Sequence, residues 1–191
     1  QRLLEKYAQH PAWLKVDGKP VVFIYGRAVG EIGVPAWAEV ISQVEKGFSQ
    51  SVIFQGDRFS PEAAKVFHGL HTYNTAGQLA RKSLDEVKAW CAETYPRWVK
   101  LARDAARISS LTVIPGYDDT KIRKPGLKVE RFDGQSYLAQ WEAALAAAPD
   151  WVLVTSWNEW HEGSEIEPSV EYGEKYLELT RQMTARFMAK S

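Results

Sequence analysis

With 191 residues, 45% of them hydrophobic, and 24 Lys+Arg set against 24 Asp+Glu, the chain can bury a sizeable core and carries no net charge. That balance removes the electrostatic reason to expect nucleic acid or an anionic membrane as partner, and no apolar run approaches the ~18 residues that a membrane-spanning helix requires. The single cysteine, Cys91, excludes an internal disulfide and fits a buried thiol.

The chain opens with "QRLLEKYAQHPAW", which reads as the end of a helix, and it has no initiator Met. An internal piece of a longer protein is expected. The first apolar run, Pro20–Tyr25, predicts a strand. Pro35–Lys46 follows as a helix: Pro sits in its first turn, Trp37, Val40, Ile41 and Val44 form one stripe, and Gly47 marks the stop. Ser51–Gln55 and Gly69–Tyr73 are the next two strands. Ser83–Ser109 holds the longest helical pattern, which Pro96 should kink or divide. Leu111–Ile114 is the fourth strand, the alanine-rich Tyr137–Ala148 a helix, Trp151–Ser156 the fifth strand and Tyr172–Lys190 a final helix. Lys121–Arg131 is locally basic and reads as a solvated loop turning at Pro125-Gly126, with a rim segment touching substrate as the alternative.

Strand and helix in alternation predict an α/β fold with parallel strands. Runs such as "VVFIY" and "WVLVTSW" suit a sheet buried on both faces. No Gly-x-Gly-x-x-Gly follows the first strand, which argues against the open dinucleotide-binding sheet. Polar residues gather where strands end: Tyr25-Gly26-Arg27, Gln55-Gly56-Asp57, Tyr73-Asn74, Tyr117-Asp118-Asp119 and Asn158-Glu159. A (β/α)8 TIM-type barrel builds its active site at that rim, but a whole barrel takes about 250 residues. The expectation is therefore one domain over 1–191, the last five β/α units of a barrel whose first three lie upstream.

Chemistry concentrates in "TSWNEWHEGSEIEP". A helical turn through Asn158–Gly163 would bring Glu159 and Glu162, three apart, to one face with Cβ atoms roughly 5–6 Å apart. In a partly desolvated cleft two such carboxylates repel, so one holds its proton while the other ionises, as acid–base chemistry at a glycosidic bond requires. Trp157 and Trp160 would supply the low-dielectric surroundings, and Asn158 and His161 the hydrogen bonds. Carboxylates at this spacing are also common on solvated helices, and the eight tryptophans are core material as readily as sugar platforms. A metal reading of Glu159, His161 and Glu162, joined by His71, lacks any recognised ligand spacing. Ser-His-Asp chemistry lacks its Gly-x-Ser-x-Gly elbow.

The same stretch closely resembles the signature of glycoside hydrolase family 99, the endo-α-1,2-mannosidases and mannanases, and its 99-like relatives. "IPGYDDTKIR" with the following "ERFDGQSYLAQWEAAL" is similar to the family's Pro-Gly-Tyr strand end and Arg-x-x-Gly-x-x-Tyr, and "KPVVFIY" is a less specific match. The resemblance implies a (β/α) barrel hydrolase, without cofactor or metal, that cuts within α-mannan or glucosyl-mannose glycans and retains the anomeric configuration. Glu159 matches the carboxylate that takes the proton of the substrate's 2-hydroxyl, through a 1,2-anhydro sugar. Glu162 matches the one that protonates the departing sugar and then activates water. Tyr117 matches a site tyrosine; Tyr73 and Asn158 are softer matches. A secreted, periplasmic or Golgi-luminal setting is implied by the resemblance alone.

Trp157 stands where the family more often has Phe, Ser164-Glu165 where it has Thr-Gln, and Gly26 where an acidic residue follows the tyrosine. The chemistry survives these departures, while the glycan and linkage stay open. Two other readings remain: a 99-like domain for another α-linked polysaccharide, and a non-catalytic carbohydrate-binding module. Asp118, Asp119 and Arg123 are expected to form a network that holds the strand-end loop, with Glu165 and Glu167 structural or at the rim.

Overall fold

Each strand expected from an apolar run forms, and the computed structural model, which describes residues 2–189, places helices between them. In chain order the elements begin with α1 (Arg2–Tyr7), β1 (Lys15–Val16), β2 (Lys19–Ile24), α2 (Gly26–Ile32) and α3 (Val34–Gly47). Next come β3 (Ile53–Asp57), α4 (Pro61–Val66), β4 (Gly69–His71), α5 (Ala76–Leu79) and α6 (Leu84–Asp104). The last are β5 (Ile108–Val113), β6 (Tyr117–Asp118), β7 (Lys128–Val129), α7 (Gln135–Ala147), β8 (Trp151–Val154) and α8 (Lys175–Met188). Two compact units result: residues up to Tyr73 with Lys100–Ser110, and Asn74–Val99 with the chain from Leu111 onward.

In the first unit β1 and β2 form an antiparallel hairpin through Asp17 and Gly18, both at positive φ as a type I′ turn demands. β2, β3, β4 and the first half of β5 then run parallel, with Val21 opposite Ile53, Gln55 opposite Gly69 and His71 opposite Ser110. One face is apolar: Ile24, Phe54 and Leu70 join Val29, Trp37, Ile41 and Phe67 in a continuous core. Alternation puts Gln55, His71 and Ser110 on the other face, all buried. α4 starts where Pro61 follows Ser60, whose hydroxyl accepts from Ala63 N–H at 3.1 Å.

In the second unit the end of β5 neighbours β8, and Thr155 N–H donates to Val113 O at 3.1 Å. Gln140 of α7 supplies what a strand would give Ile114: its amide oxygen accepts from Ile114 N–H at 3.0 Å and its nitrogen donates to Ile114 O at 2.8 Å. Tyr137, Trp141 and Tyr176 pack edge to face around this point. Trp90, Tyr95 and Trp98 form a second aromatic group on α6, with the Tyr95 hydroxyl bonded to Thr112 O at 2.7 Å. Cys91 lies buried beside them, and burial pushes its thiol up to about 12.

Several expectations change in detail. The long helix is undivided by Pro96 and stops at Asp104, so Ile108–Ser110 belong to the strand. β8 is half-buried along its length, because among the described residues it is an edge strand beside β5. Lys121–Arg131 is more ordered than a solvated loop, since Lys128 and Val129 pair antiparallel with Asp118 and Tyr117. The last helix begins only at Lys175, after a Ser169–Gly173 bridge, and Lys190 lies outside the described residues. No helix of the described residues is long and apolar enough to cross a membrane.

Candidate active site

Beyond β8 the chain closes on itself. Ser156 N–H donates to Ser164 O at 2.9 Å, Ile166 N–H returns to Ser156 O at 3.0 Å, and the two serine hydroxyls meet at 3.0 Å. Inside this loop the Ser156 hydroxyl accepts from Glu159 N–H at 3.0 Å, which fixes the backbone entering the turn. Trp160–Glu162 is a 3-10 turn with Glu159 as its cap residue, and Glu162 N–H donates to Glu159 O at 3.0 Å. Glu159 itself is not helical, at φ -78° and ψ 67°, so the turn proper carries only Glu162, three residues further on. Gly163 ends it in the left-handed region, where a side chain's Cβ would lie 3.1 Å from Asp118 N.

Two arginines hold this segment. Arg131, almost wholly buried, donates to Gly163 O at 3.0 Å and to Glu165 O at 3.1 and 3.2 Å, and pairs with the Glu165 carboxylate at 3.0 Å. The guanidinium carbon lies over the rings of Tyr172 and Tyr176, 4.2 and 4.3 Å from their centroids. Arg123 is half exposed and reaches across to the acid side: Nη2 to Glu162 Oε1 at 2.9 Å, Nη1 to Asp119 Oδ2 at 2.6 Å and to the Tyr117 hydroxyl at 2.8 Å.

Asp119 is the hub of the second set. It accepts from the Tyr117 hydroxyl at 3.1 Å and from Leu127 N–H at 2.7 Å. Gly126 lets the loop close over it, because a Cβ there would sit 2.6 Å from Thr120 Cα. Burial opposes ionisation of Asp119, but Arg123, Leu127 N–H and Tyr117 outweigh it and hold the carboxyl below its usual range. Burial, then the bond to Asp119 and the nearby Glu162 charge, pushes the Tyr117 phenol well up, so it stays a neutral hydroxyl.

Of the residues singled out in sequence, Glu159, Glu162, Tyr117, Asn158, His161, Trp157 and Trp160 all lie in the second unit. Tyr117 is buried and the Glu162 side chain is 16% exposed, while Glu159, Asn158 and His161 are exposed. Trp157 and Trp160 do not provide the apolar surroundings expected of them, being 50% and 47% exposed. The Trp160 indole N–H donates to Glu167 Oε2 at 3.0 Å. Trp160 and His161 instead line an open cavity of about 1050 Å³ with Tyr117, Lys121, Lys128 and Glu130.

Tyr73 belongs to the first unit, where its ring meets Tyr25 edge-on at 5.6 Å. Asp57 latches that region, accepting from Tyr73 N–H at 3.0 Å and Gly26 N–H at 2.8 Å. His71 is buried there, and burial depresses its imidazole against the pull of Asp57. Among the described residues no group of three or more His, Cys, Asp or Glu could hold a metal ion.

Sequence reasoning undervalued Arg123 and gave Arg131 no role of its own. For Arg131 the resemblance to an Arg-x-x-Gly-x-x-Tyr motif was a usable signal. Arg123 meets Glu162 across 39 residues of chain, and spacing alone cannot reveal that.

The sequence model of glycosyl hydrolase family 99 matches residues 1–182. The chain is 25% identical over 220 residues to the glycoprotein endo-alpha-1,2-mannosidase of Xenopus laevis, covering 97% of this chain and 46% of that protein. It is 30% identical over 162 residues to a human glycoprotein endo-alpha-1,2-mannosidase-like protein, covering 76% and 32% of the two chains. The structure of the GH99 endo-alpha-mannosidase from Bacteroides thetaiotaomicron superposes with a TM-score of 0.78 at 24% identity, over 97% of this chain and 59% of that one. The chain thus spans less than half the length of these curated relatives.

Proposed function

The chain belongs to glycosyl hydrolase family 99, and from that premise we propose that it is the C-terminal portion of a retaining, endo-acting hydrolase of α-mannosidic linkages. Its fold is α/β, that of a (β/α)8 barrel, to which it brings five strand–helix units. The barrel's first three units, upstream, complete the cleft.

The observation that supports the reading is the closed 156–166 loop beyond a strand end, which carries Glu159 and Glu162 three residues apart on hydrogen-bonded backbone. Glu159, exposed and fixed through its backbone, takes the proton of the sugar's 2-hydroxyl. The freed oxygen bonds to the anomeric carbon as the glycosidic bond breaks, and Glu162 gives its proton to the departing oxygen. In the second half Glu162 takes a proton from water. The water oxygen attacks the anomeric carbon and opens the three-membered ring, and Glu159 returns the proton to the 2-oxygen. Two inversions at one carbon retain configuration. Trp160, Trp157, Asn158 and His161 present exposed rings and donors to the glycan, and the half-buried Tyr73 adds a ring in its own unit.

The test is to assay the 191-residue chain, and the chain extended by its upstream units, on α-mannan and on α-mannosides with activated aryl leaving groups. The extended protein should turn over and the short chain should have little or no activity; full turnover by the short chain would refute the need for the upstream units. Glu159→Gln should cost about 10²–10⁴-fold on every substrate. Glu162→Gln should cost that much on glycans and far less on activated leaving groups. Retention on an α-mannan column without any hydrolysis, unchanged by either substitution, would instead make this a binding module.

A further inference from the structure

We propose that Arg123 is a positioning residue for the acid–base carboxylate, setting Glu162 and Tyr117 relative to each other through the two ends of one guanidinium. The proposal rests on the acid–base role of Glu162 given above. A guanidinium is a rigid, planar fork, so groups bonded to its two terminal nitrogens cannot move independently. Here Nη1 is committed to Asp119 and Tyr117 at 2.6 and 2.8 Å, and Nη2 to Glu162 Oε1 at 2.9 Å.

The fixed end of the fork is Asp119, itself buried and anchored by Leu127 N–H at 2.7 Å. The working end is the carboxylate. Because Arg123 takes Oε1, the other oxygen is the one that can carry the proton given to the departing sugar. Tyr117 is set by the same clamp: its hydroxyl donates to Asp119 and accepts from Arg123, which leaves acceptor capacity for a hydroxyl of the reacting sugar. Loop closure alone does not explain this arrangement, since Asp119 and Gly126 already close the loop and neither touches Glu162. Lysine would keep the charge and lose the fork.

The first arm of the experiment needs no activity. With [13Cδ]glutamate in the 191-residue chain, the resonance that Glu162→Gln removes should move in Arg123→Met and partly in Arg123→Lys; because Arg123→Met also strands the buried Asp119, the spectra are compared below the melting temperature of each variant. An unmoved resonance overturns the clamp. In the second arm the extended protein is assayed with each variant. Arg123→Met should lower kcat on a glycan by about 10²-fold and on an activated aryl mannoside by less than about 10-fold, with KM nearly constant. Added guanidinium ion should restore part of the loss. Equal losses on both substrates overturn a role in placing the acid. A wild-type protein inert on every α-mannoside would sink the acid–base reading, while the labelling arm would still decide the clamp.

Discussion

Arg131 and Arg123 grip the same stretch of chain and do opposite things. The Arg131 side chain is 10% exposed, closed between two tyrosine rings, and spends its donors on the carbonyls of Gly163 and Glu165 and on the Glu165 carboxylate. Arg123 is half exposed and reaches a carboxylate we assign to the reaction. One guanidinium fastens the backbone behind the turn; the other steers a side chain in front of it. The difference shows that charge and distance do not tell a structural arginine from a working one. What separates them is that Arg131 spends its donors on main-chain carbonyls and one buried carboxylate, whereas Arg123 joins the buried Asp119 to a second carboxylate, Glu162, on the turn.

The contrast breaks first at Arg131. Arg131→Met should destabilise the fold by about 3–5 kcal/mol, because it strands the buried Glu165 carboxylate without its partner. Urea unfolding reads this directly, and a cost below about 1 kcal/mol would put Arg131 in the same class as Arg123. A smaller effect belongs to Gly163, which both arginines flank. Gly163→Ala must hold a left-handed residue against Asp118 N, at about 1–2 kcal/mol, and should disturb Glu162 more than Arg131. Loss of stability without loss of turnover would show that the turn tolerates movement.

The smallest effect sharpens the contrast by taking a buried titratable group whose burial outweighs the pull of a nearby carboxylate, Asp57. His71 is depressed in the fold by burial, while the unfolded chain protonates it near 6.5. The unfolded state therefore binds the extra proton, so the His71 contribution is whole above about pH 6.5 and is lost as pH falls below it. His68 acts in the same direction, depressed by burial despite Glu45 at 3.5 Å. His71→Gln should flatten the acid side of a stability–pH curve without abolishing its slope. An unchanged curve would mean that His71 is not held neutral.

The sequence made strands and helices legible wherever periodicity carried them, and it misled where a stop signal was missing. Helix α6 ends through Ala106 at φ 53°, with Arg107 N–H reaching back to Ala102 O at 2.8 Å. Glycine normally announces that cap, and alanine in its place hid the boundary and displaced the start of β5. The carboxylate pair was readable because both members lie on one short turn. Its supports were not: Arg123 reaches Glu162 from 39 residues away and links it to Asp119 and Tyr117, and Trp160 gives its N–H to Glu167, seven residues on.

One quiet feature of the aromatic group on α6 has a practical use. Cys91 is sealed from solvent and its thiol stays protonated far above neutrality, so a maleimide or haloacetamide reagent should find nothing to alkylate in the native chain. A second cysteine, placed at any exposed position on the 156–166 loop, would then carry a fluorophore or spin label alone. The molecule comes ready for watching that loop respond to a glycan, with no native thiol to remove first.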